Sequence, residues 1–145
     1  MENNLELNQL AKEALREDAK WTFFLSIMGF IGVGLMVILA VFIAVKMSSV
    51  PSELDPFASI GAAKGLISFI YFAFALFYFF PVYYWYNYSV KMKTALQVND
   101  NNLLAEAFVN LKSHHKFIGI TIIVILSLYL IIFLGTIAAI IGSIV

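Results

Sequence analysis

The sequence predicts an all-α polytopic membrane protein, with three transmembrane helices and amphipathic interfacial helices flanking them. Two observations carry that prediction. First, 62% of the 145 residues are hydrophobic and only 12% are charged, against roughly 25% charged in a soluble domain. Second, the charges are segregated: 8 fall in residues 1–20, 4 in 46–64 and 6 in 91–116. The intervening stretches 21–45, 65–90 and 117–145 hold 25, 26 and 29 residues without a formal charge. A helix of that length rises about 37 Å, enough to cross a hydrocarbon layer of about 30 Å. The runs are continuously apolar, which selects helices over barrel strands of about ten alternating residues. Composition therefore excludes a soluble enzyme. Nucleic acid is excluded as a partner too, because nine basic and nine acidic residues leave a net charge of zero and no field to attract it. Cysteine is absent, which removes disulfides, thiolate metal sites and thiol catalysis together.

The chain opens with a predicted amphipathic helix over 4–20. Leu7, Leu10, Ala11, Ala14 and Leu15 recur at helical spacing, and Lys12, Arg16 and Lys20 line another face. This segment reads either as a surface-lying helix or as an anchor that continues into the first span, with Trp21 at the interface. The first span is predicted at 21–46. Its long apolar run and the five acidic residues ahead of it argue against a cleaved signal peptide. Ser26, Gly29, Gly32 and Gly34 give it a small-residue face for helix packing or oligomer contact.

The outer loop, 47–60, carries Pro51 and Pro56 as turn markers and Glu53 and Asp55 as exposed acids. The second span is predicted at 61–86, kinked near Pro81 and continuing as helix to about 97. Between Phe69 and Tyr88, 13 of 20 residues are aromatic, with Phe at depth and Tyr/Trp after Pro81. That gradient suits a helix rising from hydrocarbon into headgroups. The rings fit helix or lipid packing, or a pocket for a quinone or another lipophile. VNDNN (98–102) predicts a tight turn.

A second amphipathic helix is predicted at 101–115, with Leu103, Leu104, Ala107, Phe108 and Leu111 on one face. With the end of the second span it predicts a hairpin of surface helices. The third span, 117–142, pairs Gly135 with Ala139 and Ala138 with Gly142 at small-xxx-small spacing. Aligning Trp21 with Phe117 also places Lys20 on Lys116, Arg16 on Lys112, Leu15 on Leu111 and Ala11 on Ala107. That echo reads as a duplication or as shared interface physics.

Lysine and arginine set the orientation. Lys12, Arg16, Lys20, Lys91, Lys93, Lys112 and Lys116 lie on one side and Lys46 and Lys64 on the other, which places the N-terminus in the cytoplasm and the C-terminus outside.

Little of the sequence carries chemistry. His114 and His115 are the only histidines, and neighbours on a helix diverge by about 100°, so they do not form a metal pair. Glu106, Asn110 and His114 recur every four residues as a candidate interfacial polar track. No span carries the ionisable residue that ion pathways leave, and no nucleophile–base set or phosphate loop is present. The expectation is a protein that is not an enzyme and holds no cofactor or metal.

FFPVYYWYNYSVKMKTAL followed by LLAEAFVNLKSHHKFIGI, together with AKWTFFLSIMGFIGVGLMVI, resembles a domain-of-unknown-function family of small Bacteroidota membrane proteins. The resemblance covers most of the chain outside the outer loop. It implies the inner membrane of a Gram-negative bacterium, and it implies no activity and no site residues.

The functional expectation is therefore assembly in the membrane. The partners are the bilayer and either further copies of the chain or other subunits of a larger complex. The alternatives are an oligomeric channel for a small solute and a lipid- or quinone-binding module built on the aromatic helix.

Overall fold

A computed structural model describes residues 6–49, 51 and 65–144. They form three helices: α1 (Gln9–Ser49), α2 (Leu66–Val98) and α3 (Asn101–Ile144). By length and composition each can cross a membrane. Most of the outer loop predicted at 47–60, and residues 61–64 of the second span, lie outside the described residues.

The helices are much longer than a bilayer requires. Their 41, 33 and 44 residues correspond to about 62, 50 and 66 Å. The excess lies at one end, where the charged segments 6–20 and 91–116 extend the apolar ones. Nothing in QLAKEALREDAKW interrupts a helix, since it holds neither Pro nor Gly and is built from strong helix formers. The segments predicted as amphipathic are thus continuations of the spans rather than separate surface helices. α1 starts on Asn8, whose side-chain oxygen accepts the Ala11 N–H at 2.8 Å.

The α2–α3 connection has the chemistry that its sequence foreshadows. Asn99 adopts the left-handed conformation at φ 52° and ψ 45° and ends α2. Asp100 then starts α3, its Oδ1 accepting the N–H groups of Asn102 at 2.7 Å and Leu103 at 3.2 Å. Two residues so reverse the chain.

α2 is the central element and packs on both neighbours. At the charged end the three helices enclose a small core of Ala19, Tyr88, Met92 and Ala107, ringed by Leu15, Leu96, Leu104 and Leu111. The inward-facing side chains of the extensions cover one another there, while Leu10 and Phe108 of the predicted apolar faces remain exposed. Farther along, α1 keeps to α2 through Thr22, Ser26, Gly29, Val33, Met36, Ala40 and Ile43, each buried or half-buried. Spacings alternating between four and three hold that stripe on one side of the helix. The Ser68 hydroxyl donates to the Ala40 carbonyl near the far end of this seam. α2 runs through Pro81 as one helix.

α3 behaves differently. It meets α2 at Phe117, whose ring lies 4.7 Å from that of Phe77. Beyond that point, every side chain described from Ile122 to Gly142 is exposed.

Candidate functional site

Two regions bring side chains from different helices together. One is the junction between the charged bundle and the apolar spans. Pro81, Trp85 and Tyr88 on α2 there face Asp18 on α1 and His114 on α3. His114 lies three residues ahead of the charge-free segment of α3 and is buried, 7% exposed. Its ring stacks on Trp85 with centroids 4.4 Å apart and planes 16° from parallel. Its Nδ1 lies 2.9 Å from the Pro81 carbonyl oxygen, an acceptor only, so Nδ1 carries the hydrogen and donates. Burial pushes the His114 pKa below its ordinary 6.5; the Pro81 contact opposes that shift and the neighbouring His115 adds to it. The junction therefore favours a neutral imidazole.

The same junction holds a second polar contact. Tyr88, 1% exposed, donates its phenol hydrogen to Asp18 Oδ2 at 2.5 Å, tying α1 to α2. Asp18 itself is exposed, so its remaining lone pairs stay wet.

The predicted polar track does not form a continuous chain. Glu106 accepts from Lys91 Nζ at 2.6 Å across the α2–α3 hairpin. Asn110 turns its amide to the Glu106 carbonyl of its own helix at 2.9 Å. His114 faces Pro81, and His115 is exposed, with Nδ1 2.9 Å from the Leu111 carbonyl. Three residues aligned on one helix thus serve three separate contacts.

The small-residue faces divide in the same way. Ser26 is fully buried and donates to the Phe23 carbonyl at 2.7 Å. A Cβ on Gly29 would stand 2.8 Å from Val82 Cγ2, so glycine permits the close approach of α1 to α2. Gly32 and Gly34 lie off this seam, with nothing within 4 Å of such a Cβ. On α3, Gly135 and Gly142 also meet nothing within 4 Å, and Ala138 and Ala139 are exposed.

The second region is the apolar wedge where α3 leaves α2. It is a groove of about 630 Å³, lined on α2 by Phe69, Phe74 and Phe77 and on α3 by Phe117, Ile120 and Val124. Only Thr121 breaks its apolar lining, and that hydroxyl is bonded to the Phe117 carbonyl at 2.9 Å. The wedge can take apolar surface and little else.

The sequence reading missed Asp18, Trp85 and Tyr88 as members of a junction. Tyr88 and Asp18 are 70 positions apart, and only the register between helices brings them together. No protein family, curated protein or solved structure matches the chain.

Proposed function

We propose that this protein is a non-enzymatic subunit of a helical membrane assembly, built from several copies of the chain or joined to other subunits. The observation that carries the proposal is the bare outer half of α3. From Ile122 to Gly142 all 21 residues are exposed, whereas α1 keeps a buried or half-buried residue every three or four positions on α2. Its small residues Gly135, Ala138, Ala139 and Gly142 offer close approach to another helix. The aromatic wedge beside it leaves room for apolar side chains. On this reading the charged bundle fixes the base of the hairpin and α3 reaches outward to a neighbour. The proposal sets the protein in a bacterial inner membrane with its N-terminus in the cytoplasm, as the lysine and arginine distribution and the Bacteroidota resemblance suggest.

Native mass spectrometry on gently extracted protein tests it. Multiples of 16.2 kDa, or a constant foreign subunit, support the proposal. A single chain of 16.2 kDa, unaltered by chemical cross-linking in its own membrane, overturns it. A second reading rests on the wedge itself: its phenylalanine lining suits a lipophile such as a quinone. Solvent extraction of purified protein would then yield a stoichiometric lipophile that Phe77→Ala reduces, and an empty extract rejects that reading.

A further inference from the structure

A cleft on the opposite side of α2 has a different character. It lies between α1 and α2, has a volume of about 380 Å³, and contains Lys20 from one helix and Lys93 from the other. Both ammonium groups are exposed, and neither is ion-paired with an acidic side chain among the described residues. No carboxylate lines the cleft, and Asp18, the acid nearest Lys20 in sequence, is bonded to the Tyr88 phenol. Ala19 and Ser89 form the floor. Both are small, and the Ser89 hydroxyl is turned to the Tyr86 carbonyl at 2.8 Å, away from any ligand.

The remaining lining is graded along the helix axes. Gln97 and Thr94 lie toward the charged end, Lys93 and Lys20 in the middle, and Val90 and Phe23 one turn nearer the apolar segments. Lys20 is also the last charge before the uncharged run 21–45, and Lys93 is the second charge after the uncharged run 65–90. The cleft therefore sits at headgroup depth, with cations and an amide above and apolar side chains below. A phosphodiester joined to acyl chains has that same order of chemistry.

We propose that this cleft is a binding site for one anionic phospholipid. Its phosphate lies between the Lys20 and Lys93 ammonium groups, Gln97 offers its amide to the polar headgroup, and the first acyl methylenes run over Phe23 and Val90. Two cations held on separate helices recognise an anion that a zwitterionic lipid masks with its own ammonium. The site is independent of the assembly reading: it uses the side of α2 that faces α1 and makes no use of α3.

The test uses the full chain in detergent, with phosphatidylglycerol and phosphatidylcholine as probes and retained lipid read by native mass spectrometry. One phosphatidylglycerol is retained per chain in preference to phosphatidylcholine. Lys20→Gln and Lys93→Gln each weaken retention about five-fold, the effect of about one interfacial lysine. Lys20→Arg/Lys93→Arg preserves it, and Lys12→Gln/Lys112→Gln, which removes equal charge outside the cleft, also preserves it. Unchanged retention in Lys20→Gln/Lys93→Gln overturns the proposal, as does equal loss in Lys12→Gln/Lys112→Gln. Inorganic phosphate or glycerol phosphate displacing the lipid at comparable concentration would reveal a free-anion site and also overturn it. Lys20, Lys93 and Lys112 are exposed and Lys12 is half-buried, and an unaltered helical circular dichroism spectrum confirms that the variants remain folded.

Discussion

Val82 occupies the space that a side chain at Gly29 would need: its Cγ2 and Cγ1 lie 2.8 and 3.0 Å from the position of such a Cβ. Valine is β-branched and stiff at χ1, so it cannot swing aside as a long side chain would. The α1–α2 seam is therefore set at this point by the absence of one methyl group.

Gly29→Ala should destabilise the hairpin by about 1–3 kcal/mol through overpacking, and Gly29→Leu by more. Gly32→Ala and Gly34→Ala, with open space around them, should be neutral or stabilising by up to about 1 kcal/mol, the helix propensity that alanine gains over glycine. Thermal unfolding in one detergent compares the four. Val82→Ala in the Gly29→Ala background should recover much of the loss, and a failure to recover would reject contact with Val82 as the cause.

The Tyr88–Asp18 bond predicts an asymmetry. Removing Asp18 by Asp18→Ala strands a buried hydroxyl, at a cost of about 1–3 kcal/mol. Tyr88→Phe instead returns an exposed carboxylate to water and should cost less. The double variant should cost less than the sum of the two, and a double-mutant cycle measures that coupling. Strict additivity would mean that the two groups do not interact in solution.

These contacts mark where sequence reading reaches its limit. The three spans are legible because 25 or more uncharged residues leave few alternatives to a buried helix. The α2–α3 turn is legible because Asn99 and Asp100 supply a left-handed residue and a cap locally. Gly29 and Gly32, by contrast, look alike in sequence, and only the rotation of α1 about its axis separates the one on the seam from the one beside it. His114 and Pro81 meet across 33 positions. That contact depends on the vertical register of α2 and α3, which hydrophobic periodicity does not contain.

His114 gives a pH prediction. Its folded pKa lies below the ordinary 6.5, first because burial disfavours the imidazolium. Above 6.5 the ring is neutral whether the chain is folded or unfolded, and this residue's contribution is complete. As pH falls through 6.5, the unfolded chain binds a proton that the folded junction resists, so stability declines. The melting temperature should thus fall between about pH 7.5 and about pH 5.5. His114→Phe, which keeps a ring against Trp85, should flatten that slope, whereas His115→Phe removes only the smallest of the three causes and should leave most of it. A wild-type profile without slope in this window would contradict the assignment.

The exposed half of α3 gives the last prediction, and the absence of cysteine makes it direct, since a single introduced thiol has no background. A disulfide between two copies requires Cα atoms within about 7 Å. Among single-cysteine variants from 124 to 142, oxidation in native membranes should therefore give a product of twice the chain mass only at positions recurring every three or four residues. Gly135, Ala138, Ala139 and Gly142 should mark the strongest positions if small residues bring two copies together. A link to a chain of another mass at the same positions would identify a foreign subunit and still place the contact on this helix. Ala139→Leu, added to a cross-linking variant, should abolish the product by holding the backbones apart, while membrane insertion is unchanged because Leu is as apolar as the site. Weak cross-linking at every position, without helical period, would instead mean that α3 is surrounded by lipid and that the assembly contact lies elsewhere.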